Sequence, residues 1–298
     1  MENTTDFAQP RFKSSPAVKF LILFALALAG LIACSVLMLI CGLNMSRVAN
    51  MHYVITLQDV FAFIIPAVAT MAICYFKPWK AMALSKAPSW KGILVAVLVC
   101  AASMPAMNWL VEWNKGIELP KALSGLEEWM RVMEDQGEAI TKSMLHGSSV
   151  FTLLINLLVV AFIAGLSEEI LFRGSMQRIL TLSGRNVHYA IWLVAIVFSA
   201  IHMQFYGFVP RMLLGAWNGY LLVWTRSLWV PIIAHTLNNG IVVVATWLDS
   251  RGIISGEEVD TIGIPADASF PWLAMCSALV TIILIIVFRK WILKNNGN

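Results

Sequence analysis

Two adjacent acids and one base, Glu168, Glu169 and Arg173, close a run of apolar residues that starts near Ser149. A charge within a hydrophobic span costs at least about 2.5 kcal/mol, so such residues normally face a protein interior or a water-filled cavity and point to function. Residues three or four apart share one face of a helix, so Glu169 and Arg173 are expected to form a structural pair. Glu168 projects about 100° away from Glu169 and is the acid left free. Two later apolar runs carry further polar groups: Phe198 and His202 in one, and His235, Asn238 and Asn239 on a single turn of the other. A carboxylate desolvated among apolar helices can serve as a general base, with His202 orienting or deprotonating a water. Each group alone has a plainer reading as a membrane-edge ion pair, a packed histidine or an interhelical asparagine bond. Their common depth favours one shared site. Counted from Arg178, His188 and Arg226 at about 1.5 Å per residue, Glu168, His202 and His235 lie roughly 15, 21 and 14 Å deep, with His202 the outlier.

The elements that must position these residues are membrane helices. The chain has 298 residues, of which 59% are hydrophobic and 13% charged, and its mean hydropathy is +0.77. That is far more apolar than an ordinary globular domain, and the expected fold class is an all-α polytopic membrane protein. Apolar runs near the roughly 20 residues needed to cross a bilayer fall at 18–42, 53–76, 92–111, 149–172, 189–206, 210–225, 228–248 and 270–293, about eight spans. Lys and Arg gather in alternate short connections, around Arg11, Lys77, Lys86, Arg185, Arg226 and Lys290, which predicts that both termini are cytoplasmic, N-in and C-in. The intervening segments 112–148 and 249–269 are acidic. The expected organisation is an N-terminal three-span region with an outer amphipathic segment at 1–148, a catalytic core at 149–248, and an outer loop with a C-terminal span at 249–298.

Several classes are set aside by the same reading. The net charge of +4 is small and its bases sit beside spans, which indicates orientation and no nucleic-acid binding. Cys34, Cys41, Cys74, Cys100 and Cys276 contain no CxxC pair, so neither a disulfide framework nor a thiolate metal site is readable. Leu126, Trp129, Met130, Met133 and Ile140 recur at helical spacing among charges, as in a surface helix that is either a lid or a simple loop element. Gly215 and Gly219 form a small-xxx-small pair, which lets another helix approach or marks a homodimer face. Gln58 and Asp59 fall near the outer end of the second span, where water is expected to reach them, and are given no role.

Glu168-Glu169-x-x-x-Arg173, Phe198-x-x-x-His202 and His235-x-x-x-Asn239, in that order on successive spans, resemble the signature of the CPBP family (CAAX protease and bacteriocin-processing, Abi). This is a family of intramembrane proteases that includes the type II CAAX prenyl endopeptidases. The resemblance covers roughly residues 150–245, about a third of the chain. It implies an endopeptidase that hydrolyses a peptide bond in a membrane-associated peptide or protein, with His235 and Asn239 holding the developing oxyanion. The family is often described as metalloproteases, yet a metal-free glutamate mechanism has also been argued for its members. The cofactor expectation is therefore zinc or none. Glu168, His202 and His235 would be the metal ligands, since two His and one Glu with an open position form a known catalytic zinc set. No His-Glu-x-x-His, Gly-x-Gly-Asp or Gly-x-Ser-x-Gly motif is present. The competing functions are an ion- or proton-coupled transporter and a catalytically silent scaffold or immunity protein. The expected surroundings are the lipid bilayer, in a bacterial or archaeal plasma membrane.

Overall fold

The computed structural model describes residues 9–44, 48–266 and 269–296, and these contain helices and connecting turns without a strand. Ser15 accepts the Val18 N–H and Pro16 takes the first helical position, which starts α1 at Pro16–Ile40. It is followed by α2 (Asn50–Cys74) and α3 (Trp90–Lys115). The surface helix α4 (Ser124–Leu145) leads into the long α5 (Val150–Leu182). Then come α6 (Val187–Ala200), α7 (Phe208–Thr225), α8 (Trp229–Ser250) and α9 (Trp272–Asn296).

Six of these helices, α1, α2, α3, α5, α8 and α9, are long and apolar enough to cross a membrane, while α6 is a shorter apolar helix. The protein is an all-α, multi-pass integral membrane protein. Hydrogen bonds define its two faces. On one, Arg178 Nε donates to the Ala81 carbonyl at 2.5 Å, Lys86 Nζ to the Thr225 carbonyl at 2.8 Å, and the Leu228 N–H to the Ala83 carbonyl at 2.9 Å. Lys91 also lies 4.6 Å from the Trp291 ring there, which puts the end of α9 on this side. On the other face, Asn114 joins Phe205 and Val209, Asn108 donates to the Val259 carbonyl, and Trp247 donates to the Ser149 carbonyl. The chain passes between these faces with α1, α2, α3, α5, α6, α7, α8 and α9 in alternation, and α4 lies along the second.

Two boundaries differ from the sequence expectation, and both matter to the site. The fourth span does not end near Phe172. It continues to Leu182, because Arg173, Ser175 and Gln177 are buried and two of them are bonded to α7 instead of meeting the membrane edge. The acid pair is thus near the middle of a 33-residue helix. The fifth span ends at Ala200, and a turn with Met203 in the left-handed region follows it. His202 is therefore on that turn and not on the helix, which explains its odd depth.

The core that supports α5 is built from Leu23, Met71, Met82, Phe172, Ile179 and Leu228 with their neighbours. Within this packing α2 and α5 depart from regular α geometry. Asp59–Ile64, Leu157–Ile163 and Ile170–Gln177 are π-helical, and the last two flank the short α-helical stretch Ala164–Glu169. Such wider turns are uncommon and concentrate at functional sites, because each shifts the register of the side chains beyond it.

Candidate active site

The site starts from Glu169, whose side chain is fully buried. One of its oxygens, Oε1, accepts three hydrogen bonds: from Arg173 Nη1 at 2.9 Å, Asn218 Nδ2 at 2.9 Å and His235 Nδ1 at 2.8 Å. The pairing of Glu169 with Arg173 expected from spacing is present, and it is part of a larger hub. Arg173 is held at its other end by the Gly215 carbonyl at 2.8 Å and lies 4.6 Å from the Phe198 ring centroid. An isolated buried charge would be costly, and here the charges of both partners are compensated by each other and by polar neighbours. Gly215 and Gly219 explain how α7 comes close enough. A Cβ on Gly219 would stand 2.8 Å from Gln177 Oε1 and 2.9 Å from Ile191, and one on Gly215 would stand 3.1 Å from Arg173 and Phe198. This small-residue face packs against the chain's own α5 and α6.

One residue away, Glu168 turns into a cavity of about 740 Å³ that is also lined by His202, His235, Asn238 and Asn239. Its Oε2 lies 3.5 Å from His235 Nε2, its Oε1 lies 3.9 Å from His202 Nε2, and Oε2 carries no hydrogen bond. Both imidazoles are oriented from behind. A carboxylate or carbonyl oxygen only accepts, so His235 Nδ1–H donates to Glu169 and His202 Nδ1–H donates to the Phe198 carbonyl at 2.7 Å. Each ring thereby directs Nε2 at Glu168. The Phe198 ring stacks edge-on against His202 at 4.9 Å and His235 at 5.9 Å, which fixes both planes.

Asn239 Nδ2 donates to the Val160 carbonyl in the first π-helical stretch of α5 at 3.2 Å, which places its amide on the cavity wall. The structure thus brings Glu168, His202, His235 and Asn239 to one cavity, with Glu169 and Arg173 directly beneath. Two imidazole nitrogens and a carboxylate are donor types suited to zinc. Among the described residues, however, no group of three His, Cys, Asp or Glu side chains is arranged to hold a metal ion.

Other groups were not legible from spacing. Asn218, the third partner of Glu169, stands alone among apolar residues of α7 and has no periodic signal. Asp59 is 6% exposed, not wetted as expected, and it faces Ser167 and Glu168 from α2. The surface helix α4 supplies Glu134, Thr141 and Leu145 to the cavity wall, and Glu134 Oε2 accepts the Tyr206 N–H at 3.0 Å. A second, larger cavity of about 1020 Å³ lies between α3, α6, α7 and α9 and is almost wholly apolar. Although larger, it contains none of the acid–histidine cluster. It adjoins the site through Val99, Ser103, Leu214 and Trp217, which line both.

Residues 150–241 match the family model described as type II CAAX prenyl endopeptidase Rce1-like. The matched segment runs from the start of α5 into α8 and contains Glu168, Glu169, Arg173, His202, His235 and Asn239. It supports assignment to the CPBP/CAAX protease family. No curated protein and no solved structure matches the chain.

Proposed function

We propose that this chain, as a member of the Rce1-like CAAX protease family, is an intramembrane endopeptidase that hydrolyses a peptide bond in a membrane-associated substrate through a water activated by Glu168. One observation carries the reading: Glu168 faces two imidazole Nε2 atoms in a cavity, and both rings are locked from behind by acceptors. A water within that group would give a proton to Glu168 while its oxygen attacks the carbonyl carbon. The carbon–nitrogen bond then breaks as Glu168, assisted by His202, returns the proton to the leaving amine.

The oxyanion requires donors aimed into the cavity. Asn239 offers the second hydrogen of its amide. His235 would offer Nε2–H when its ring carries both protons. Asn238 lines the same wall.

The test is cleavage of membrane peptides by purified wild-type and Glu168→Gln proteins in lipid vesicles. The variant keeps the shape of the side chain and removes the base, so the rate should fall by about 10²–10⁴. Undiminished cleavage by Glu168→Gln would refute the assignment. The same assay after exhaustive chelation addresses the cofactor, and the carboxylate-held water predicts that activity survives.

A further inference from the structure

We infer that the cavity opens on the non-cytoplasmic side of the membrane, so that the substrate is a membrane-anchored polypeptide whose scissile bond is displayed on that side. This rests on the proposed peptidase reading and adds where its substrate must present itself.

The two faces of the fold differ in basic charge. The face that joins the 75–89 connection to the ends of α5, α7 and α9 carries Lys77, Lys80, Lys86, Arg185, Arg226 and Lys290. Arg11, Lys19, Lys91 and Arg178 lie on it as well, which makes ten, whereas the opposite face carries Lys115, Lys121, Arg131, Lys142, Arg211 and Arg251. Two of these are already paired one helical turn away: Arg131 with Glu127 and Lys142 with Glu138, each at 2.7 Å. Excess Lys and Arg in short connections stays on the cytoplasmic side, which makes the first face cytoplasmic.

The cavity belongs to the second face. Its polar rim is Lys115 at the end of α3, Glu134 and Thr141 on α4, Tyr206 on the turn after α6, and Arg211 at the start of α7. Lys115 and Arg211 lie at the ends of their helices away from the basic face, Tyr206 lies on the turn between α6 and α7, and Glu134 and Thr141 belong to α4, which runs along the outer face; no residue of the connections at 75–89, 183–186 or 226–228 lines the cavity. His202 stands on the turn at this same end, with its side chain 26% exposed. The catalytic group is therefore reached from the acidic side, beneath α4, while the hub of Glu169, Arg173 and Gln177 closes the path to the basic side.

The chemistry of the substrate follows. A polypeptide held by a transmembrane segment would bring a short stretch just outside that segment to the rim. A lipid-modified tail confined to the cytoplasmic surface would meet the closed end.

Labelling tests the direction of opening. In a cysteine-free background, Thr141→Cys on the rim and Arg185→Cys on the basic face are treated with a membrane-impermeant maleimide in intact cells and after permeabilisation. Thr141→Cys should label in intact cells, and Arg185→Cys only after permeabilisation. The reverse pattern overturns the inference. Should removal of the cysteines impair folding, a green fluorescent protein fused to the C-terminus of the unaltered chain gives a second readout: fluorescence supports the orientation and its absence at normal expression overturns it.

The substrate half is read from new peptide termini in membranes of cells that express wild type or Glu168→Gln. Termini dependent on Glu168 should map to the non-cytoplasmic flanks of membrane segments, and cytoplasmic ones would overturn the proposal. If no Glu168-dependent termini arise, the peptidase reading fails with the substrate assignment, while the labelling result still fixes the direction of opening.

Discussion

Because three donors meet one oxygen of Glu169, replacing that carboxylate should be felt by the whole protein, whereas replacing its neighbour Glu168 should be felt mainly by the reaction. Glu169→Gln leaves Arg173 buried without a counter-charge. Breaking a buried pair in this way costs about 3–5 kcal/mol, and the expected outcome is a markedly lower midpoint of thermal inactivation in detergent. Glu168→Gln, whose side chain is partly exposed and makes no hydrogen bond through Oε2, should keep the wild-type midpoint. Equal midpoints for the two variants would contradict this division of roles. The division was legible in part from sequence. Helical spacing separates Glu168 from Glu169 and links Glu169 to Arg173, because those relations are local. The bonds of Glu169 to His235 and Asn218 join residues 66 and 49 positions apart, and no periodicity encodes them. The burial of Asp59 is invisible in sequence for the same reason, since Ser167 and Glu168 of α5 face it from a distant part of the chain.

At the scale of elements, α5 and α7 form the frame that carries the site. Arg173 and Gln177, one turn apart on α5, donate to the carbonyls of Gly215 and Gly219, one turn apart on α7. This ladder is built on close approach at Gly219, where a Cβ would fall within 3 Å of the side chains of both Gln177 and Ile191 and would displace them. Gly219→Leu should push α7 away, break the Gln177 bond and cost about 1–3 kcal/mol through overpacking. Thermal inactivation would show the loss, and an unchanged midpoint would mean that the frame tolerates separation. Hydropathy revealed the long helices because their lipid-facing surfaces are apolar over about 20 residues. It truncated α5, since Arg173, Ser175 and Gln177 read as a membrane edge until α7 is seen to satisfy them. It also lengthened α6 through His202, because nothing in local composition announces the left-handed turn at Met203.

For the molecule as a whole, the short α6 ties activity to the membrane around it. Its 14 residues span about 21 Å, against a hydrocarbon core of about 30 Å. The turn that carries His202 is bonded through Phe205 to Asn114 at the end of α3 and is covered by α4, whose Glu134 accepts the Tyr206 N–H. A bilayer adapts to a short span by thinning locally, at a fraction of a kcal/mol per Å of mismatch. A thick bilayer should accordingly force lipid or helix tilt against the rim formed by Tyr206 and Arg211 and restrict access to Glu168. Reconstitution into phosphatidylcholine vesicles with chains of increasing length should give a cleavage rate that declines severalfold in the thickest bilayers. Wild-type thermal midpoints should change little across the series, because Glu169, Arg173 and Asn218 are sealed within the protein away from lipid. A rate independent of thickness would show that the mouth is insulated from the bilayer by α4, and a parallel fall in rate and midpoint would mean that thickness acts on the fold instead of on access to the site.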